Sequence, residues 1–280
     1  MLVFKEIRPL KVFLHEKRRA IKSIGFVPTM GALHRGHIRL VEESKSTNDL
    51  TVASIFVNPT QFNNAVDFDK YPRVFEQDLE KARQAGVDVL FAPEPNEMYA
   101  TPSGISFDFG ALDKVMEGAF RPGHFSGVAT VVAKLFNIVE PDQAYFGQKD
   151  WQQFAIISKL VEDLLFGVAL HAVPTIREAD GLALSSRNLR LTAEQRNVAP
   201  IFFEALNTAR EMAIKKESVI DIKQFAEKLF SQHQNVSLEY FEIVDRTDLT
   251  TVDRLEGNQT LIICVAGWMG DVRLIDNIFI

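Results

Sequence analysis

The sequence predicts an α/β fold, a doubly wound parallel sheet followed by a second, smaller α+β domain. Three observations carry that expectation. Short apolar runs alternate with longer amphipathic ones over about the first 175 residues; after about residue 180 the order changes to helices followed by three strands; and polar, glycine-bearing segments fall where the early strands end.

The elements read in order as follows. Ser23 to Pro28 is a strand, and Leu33 to Ser46 a helix with Ile38, Leu40 and Val41 at helical spacing. Leu50 to Val57 is nearly continuous and β-branched, as expected of a strand buried on both faces. Pro72 to Ala85 reads as a helix with proline near its start, and Gly86 to Phe91 as the next strand. Gly127 to Val139 is a buried helix despite its β-branched content, Gln143 to Phe146 a strand, Asp150 to Leu165 a helix and Val168 to Val173 a strand. Thr192 to Ile214 reads as one long helix, with Thr192 as N-cap, and a second helix follows from Ile220 to Gln232. Strands Leu238 to Val244, Thr260 to Val265 and Val272 to Ile278 complete the chain. The expected division is residues 1–175 and 176–280.

Of the 280 residues, 46% are hydrophobic and 24% charged, ordinary globular usage. A formal net charge of −6 argues against a general nucleic-acid or anionic-membrane surface, which would need an excess of Lys and Arg. The single cysteine, Cys264, lies in an apolar run and reads as a small buried hydrophobe. Charges at Lys5, Glu6 and Arg8 interrupt any signal-peptide pattern, and no apolar run approaches the ~20 residues of a bilayer span. A soluble cytoplasmic protein is the expectation.

Chemistry gathers at four segments. In Gly25-Phe-Val-Pro-Thr-Met-Gly-Ala-Leu-His-Arg-Gly-His37 a strand ends at Pro28, Gly31 permits a tight turn, and a helix opens near Leu33. His34 and His37 then share one helix face, Gly36 between them leaves room for a ligand to approach the backbone, and the helix N-terminus favours an anion. The spacing alone equally describes two surface histidines; the strand before it and the flanking glycines favour a nucleotide phosphate. The second segment, Ser54-Ile-Phe-Val-Asn-Pro-Thr-Gln-Phe62, offers the neutral amides of Asn58 and Gln61 at a strand end, where an Asn-Pro turn is the plainer reading. In the third, Gly147-Gln148-Lys149-Asp150, Lys149 suits a phosphate and Asp150 a ribose hydroxyl, with Gln153 facing inward one turn later. The fourth is Leu184-Ser185-Ser186-Arg187-Asn188, two hydroxyls and a guanidinium suited to a triphosphate, or by itself a solvated loop.

The first of these resembles the His-x-Gly-His element of the nucleotidylyltransferase superfamily. In this order and at these intervals, the four together resemble the pantoate–β-alanine ligase (pantothenate synthetase) family along nearly the whole chain. Tyr71-Pro-Arg73, Arg121-Pro-Gly-His-Phe125, Gly127-Val-Ala-Thr-Val-Val132 and Arg273-Leu-Ile-Asp-Asn277 add to the likeness. The resemblance implies a Rossmann-like ATP- and pantoate-binding domain over 1–175 and a smaller lid over 176–280. It implies ATP-dependent joining of pantoate to β-alanine through a pantoyl adenylate, with Mg²⁺ accompanying ATP, in a homodimer.

Carried onto this sequence, the resemblance places Met30, Gly31, Ala32, Leu33, His34, Arg35, Gly36 and His37 along ATP, with both histidines on phosphate and His37 as proton donor. Gly147, Gln148, Lys149 and Asp150 also line ATP, Lys149 being counted with the histidines as catalytic; Ile176 contributes its backbone, and Leu184, Ser185, Ser186 and Arg187 close on the triphosphate. Gln61 and Gln153 hold pantoate, with Asn58 beside them, and Gln61 also meets β-alanine. Asp78 is placed near Mg²⁺, through water, with a surface helix carboxylate as the equal alternative. Ser126 departs from the family's usual Arg, and Arg35 fills a variable slot. Two other readings stay open: an adenylyltransferase of the same superfamily acting on another substrate, and a catalytically silent ATP-binding protein.

Overall fold

Adjacent residues of a strand point to opposite faces, and in the first part of this chain both faces are apolar. The computed structural model describes residues 1–20, 23–63, 65–101, 103–257 and 259–280. Six strands, β1 (Leu2–Phe4), β2 (Ile24–Thr29), β3 (Leu50–Ile55), β4 (Val89–Phe91), β5 (Gln143–Gly147) and β6 (Ala169–Val173), form one parallel sheet in the order β1-β4-β3-β2-β5-β6.

The register shows how the sheet is covered. Ala144, Phe26, Val52 and Val89 lie side by side across four strands and join one apolar core with Leu10 and Leu14 of the helix Ile7–Arg18 and Val128 and Leu135 of the helix His124–Val139. The next row, Val27, Ala53 and Leu90, joins a core on the other face with Leu40 and Val41 of the helix Arg35–Thr47 and Ala82 of the helix Phe75–Gln84. Burying each such Leu, Ile or Phe contributes about 1.5–3 kcal/mol.

The second part has its own core. Strands β7 (Val236–Asp245), β8 (Leu261–Met269) and β9 (Val272–Phe279) form an antiparallel sheet in that order. Phe202 and Leu206 of the helix Ile201–Ile214, Ile222 and Phe230 of the helix Val219–Ser231, and Ile243 and Ile263 of the sheet pack together. Cys264 is buried within β8. The chain divides into two compact units, Met1–Gly147 with Gln153–Pro174, and Gln148–Gln152 with Thr175–Ile280. Among the described residues no helix is long and apolar enough to cross a membrane.

Several elements differ from the sequence reading. The single helix expected over Thr192 to Ile214 is two, Ala193–Val198 and Ile201–Ile214. Pro200 lies between them, lacking the N–H a continuous helix needs and crowding the carbonyl four residues back. Thr192 is the N-cap of the first, accepting from Gln195 N–H. The helix expected from Pro72 begins at Phe75, and the strand expected from Gly86 begins at Val89. Strand β1 and the helix Ile7–Arg18 are additional to the elements expected from the sequence.

Candidate active site

In the parallel sheet, β3 and β4 lie on one side of β2, and β5 and β6 on the other. The order therefore reverses between β2 and β5, and their carboxyl ends flank the crevice where open α/β sheets bind ligands. β2 runs into Met30–His37, while β5 ends at Gly147.

The turn after β2 is held from three directions. Thr29 Oγ1 donates to Ser54 O (2.7 Å) and accepts from Gly31 N–H (3.1 Å). Gly31 takes φ +81°, the left-handed conformation that a side chain resists, and Ala32 follows at φ +49°. Asp78 projects from the helix Phe75–Gln84, accepting the N–H of Ala32 at Oδ2 (2.8 Å) and of Leu33 at Oδ1 (2.7 Å). Lys81 Nζ donates to Leu33 O at 2.7 Å.

Asp78 is not the surface carboxylate of the alternative reading: it is 1% exposed, and its two oxygens receive peptide N–H groups of the turn. Among the described residues no three His, Cys, Asp or Glu side chains gather into a metal-binding group. The Leu33 side chain lies in the apolar core with Val27 and Leu40, so only its backbone faces the turn.

The two histidines cap the helix that carries them. His34, at the N-cap, accepts Gly36 N–H at Nδ1 (3.1 Å), and His37 Nδ1 accepts His34 N–H (3.3 Å), with the ring centroids 4.1 Å apart. A peptide N–H is always the donor, so Nδ1 of each ring is an acceptor and the ring proton resides on Nε2. A Cβ at Gly36 would stand 2.9 Å from the His34 ring atoms, so the glycine also makes room for His34 itself.

At the end of β3, Pro59–Gln61 makes a single 3₁₀ turn. Gln61 is 7% exposed and its Nε2 lies 2.8 Å from Met30 Sδ, joining this turn to the one after β2. Asn58, expected to touch pantoate, is 1% exposed and its amide is engaged throughout. Its Oδ1 accepts from Thr60 Oγ1 (3.0 Å) and Tyr99 OH (2.8 Å), and its Nδ2 donates to Gln61 Oε1 (3.2 Å) and Gly127 O (3.1 Å). Asn58 therefore aims Gln61. A Cβ at Gly127 would meet Thr60 O at 2.2 Å, so this glycine lets the helix His124–Val139 press against the turn.

The same turn is tied from its other end. Arg121 Nη1 lies 3.1 Å from His124 Nε2, and His124 Nδ1 lies 2.8 Å from Gln61 O. A guanidinium only donates, which puts the His124 proton on Nδ1, where it is given to the Gln61 carbonyl. Glu117, 6% exposed, stands 3.5 Å behind Arg121. Ser126 holds Phe107 N–H at 2.9 Å. Arg121-Pro-Gly-His-Phe125 has no role legible in the sequence, because a buried histidine beside a glutamine turn 63 residues away carries no local signature.

In the second unit, Gln148–Asp150 is a 3₁₀ turn on which Lys149 Nζ lies 3.7 Å from Asp150 Oδ1. Ile176 O accepts Leu184 N–H (2.9 Å) and Glu178 N–H meets Leu182 O (2.8 Å), a hairpin that delivers Ser185 to the start of the 3₁₀ turn Ser186–Arg190. The Ile176 carbonyl is thus engaged within the hairpin, and Ser185 Oγ accepts Arg187 N–H at 3.3 Å. In the helix Trp151–Asp163, Gln152 is buried at 5% exposure, whereas Gln153, expected to face inward, is half-buried.

Comparison with known proteins follows the same lines. A family model described as pantoate-beta-alanine ligase matches residues 2–279. The chain is 46% identical over 281 residues to a pantothenate synthetase of Cytophaga hutchinsonii, covering 100% of this chain and 99% of that one. It is 46% identical over 278 residues to one from Aquifex aeolicus, covering 99% and 98%. Its structure is similar to pantothenate synthetase from Thermus thermophilus, with TM-score 0.92, 42% identity and 99% of each chain covered. It is also similar to a pantoate-beta-alanine ligase from Francisella tularensis complexed with beta-gamma ATP and beta-alanine, with TM-score 0.79, 35% identity, and 100% and 97% covered.

Proposed function

The chain belongs to the pantoate-beta-alanine ligase family, and on that footing we propose that it joins pantoate to β-alanine in two steps at the expense of ATP. The pantoate carboxylate attacks the α-phosphorus, releasing pyrophosphate and leaving pantoyl adenylate. The β-alanine amine then attacks the acyl carbon, the amide bond forms, AMP leaves, and the amine gives up a proton. The observation that carries this reading is the pair of reciprocally capped imidazoles at the switch point of the sheet.

In-line attack on phosphorus asks for positioning and charge neutralisation more than covalent work. Each histidine, with its proton on Nε2, donates a hydrogen bond to phosphate oxygens while Nδ1 stays on the backbone. A neutral imidazole that gave up Nε2–H would become an imidazolate, so His37 acts as a donor to charge and not as an acid. Arg35, exposed on the first turn, adds positive charge nearby. Gln61, aimed by Asn58, takes pantoate and then the amine, and Gln153 takes a pantoate oxygen.

The second unit contributes Lys149 toward phosphate, Asp150 toward ribose, and Ser185, Ser186 and Arg187 toward the triphosphate. Mg²⁺ enters with ATP as part of that substrate, neutralising phosphate oxygens. Asp78 is engaged with the turn and supports the site from beneath.

The test is AMP release from ATP. It should require both pantoate and β-alanine, and pantoate alone should support exchange of labelled pyrophosphate into ATP. AMP formed without dependence on both acid and amine would overturn the reading in favour of another adenylyltransferase; ATP binding without turnover would favour the silent binder. The cytoplasmic homodimer is part of the same proposal. Sedimentation equilibrium should give twice 31.6 kDa.

A further inference from the structure

The motif Arg273-Leu-Ile-Asp-Asn277 lies on β9, far in sequence from every segment given a role above. Its last two residues are buried and polar, Asp276 at 4% exposure and Asn277 at 5%, and burial of such groups is tolerated only where their hydrogen bonds are made. The Asn277 amide makes its bonds to the turn that bears Lys149. Its Nδ2 donates to Gln148 O at 2.9 Å and to Lys149 O at 2.7 Å. Trp151, just beyond that turn, is fixed by Nε1 donating to Arg246 O (2.8 Å) and by edge-to-face contact with Phe279.

Asn277 is in turn fixed by its neighbour. Asp276 Oδ1 accepts both Asn277 N–H (2.8 Å) and Arg177 Nη2 (3.1 Å), and Asp276 Oδ2 accepts Arg177 Nη1 (2.5 Å). Arg177 Nη2 also donates to Asn277 O (3.2 Å) and Nη1 to Gly181 O (3.1 Å). Arg177 belongs to the hairpin that delivers Ser185, where it pairs with Ala183. One buried cluster thus grips the Lys149 turn by its carbonyls and the Ser185–Arg187 segment through its hairpin.

We propose that Asn277, held by the Asp276–Arg177 pair, is a positioning residue for Lys149 and sets where that ammonium meets the ATP phosphates. The inference rests on the reading of Lys149 as a phosphate ligand. With the amide grip gone, the turn and its ammonium shift, and a displacement of about 1 Å at a reacting centre costs as much as 100-fold. The loss falls on ATP, leaving pantoate and β-alanine affinity unaltered.

The experiment is a double-mutant cycle on pantoate-dependent exchange of pyrophosphate into ATP, using the full-length enzyme. Asn277→Ala should slow exchange about 10- to 100-fold, with KM for pantoate unchanged, and should alter it less than about 3-fold in a Lys149→Ala background. Asn277→Asp keeps the volume and removes the donors, so it should reproduce the loss. Equal effects of Asn277→Ala in both backgrounds, a matching rise in the pantoate KM, or unimpaired exchange would overturn the proposal. So would failure of both variants to fold, which would make Asn277 a folding residue. If Lys149→Ala alone leaves ATP kinetics untouched, the reading of Lys149 fails instead, a result distinct from all of these.

Discussion

Two buried aspartates, one in each unit, do comparable work by different means. Asp78 supports the turn after β2 and is stabilised by hydrogen bonds from two peptide N–H groups. Asp276 supports the Gln148–Lys149 turn through Asn277 and is neutralised by the Arg177 guanidinium. Burial pushes the Asp276 carboxyl above its usual range, while Arg177 pulls the other way. The difference is one of directness. Peptide dipoles leave a carboxylate bonded to the very backbone that must be shaped, whereas an ion pair fixes the carboxylate and hands the shaping to a neighbour. The first arrangement has no intermediary whose repacking could absorb a substitution.

The comparison breaks hardest at Asp78. Asp78→Ala leaves two buried N–H groups unsatisfied, a loss on the order of 3 kcal/mol, and releases a turn that carries both histidines. Adenylate formation, followed by pyrophosphate exchange, should fall further than in any single-histidine variant. His37→Ala is next. It should keep the fold, by circular dichroism, and slow adenylation by about 100- to 1,000-fold, the worth of one transition-state donor.

Asp276→Asn keeps an acceptor for Asn277 N–H but leaves the partly buried Arg177 without its counter-charge. Chemical denaturation should show a loss of about 3 kcal/mol, and exchange should slow by only about 10-fold because Asn277 still reaches the turn. The smallest effect belongs to the more exposed pair Asp180 and Arg196, 2.6 Å apart. Arg196 holds the Asp180 carboxyl below its ordinary 3.8, so this pair's contribution is present above that pH and is lost as pH falls below it. Arg196→Ala should change stability at pH 7 by less than about 1 kcal/mol, and by still less in acid.

How far the sequence reveals this molecule depends on the range of the interaction. The sheet is legible because a run such as Leu50–Ile55 records burial on both faces within six residues. The break at Pro200 was legible too, since proline cannot continue a helix, but the strong helical pattern on either side obscured it. The histidine turn shows itself through strand, glycine and imidazole in one short stretch. Asp78 does not, because its partners lie 45 and 46 residues away and nothing near it in the chain marks it as more than a helix carboxylate. Asn58 looked like a ligand because an amide at a strand end is chemically suited to be one; only the contacts with Tyr99 and Gly127 show it occupied. Arg273-Leu-Ile-Asp-Asn277 shows no role in the sequence because its targets lie 128 and 129 residues upstream.

The reciprocal cap at His34 and His37 has a consequence for how this protein tolerates change. Binding groups commonly weaken a fold, and replacing them makes an enzyme sturdier and idle. Here the ring nitrogens that orient each Nε2–H also satisfy peptide N–H groups at a helix start, which would otherwise have no intrahelical partner. Selection for thermal stability alone, blind to turnover, would therefore retain both imidazoles. A library screened only for heat resistance should return them intact, an outcome foreign to sites whose ligands are strained against their scaffold.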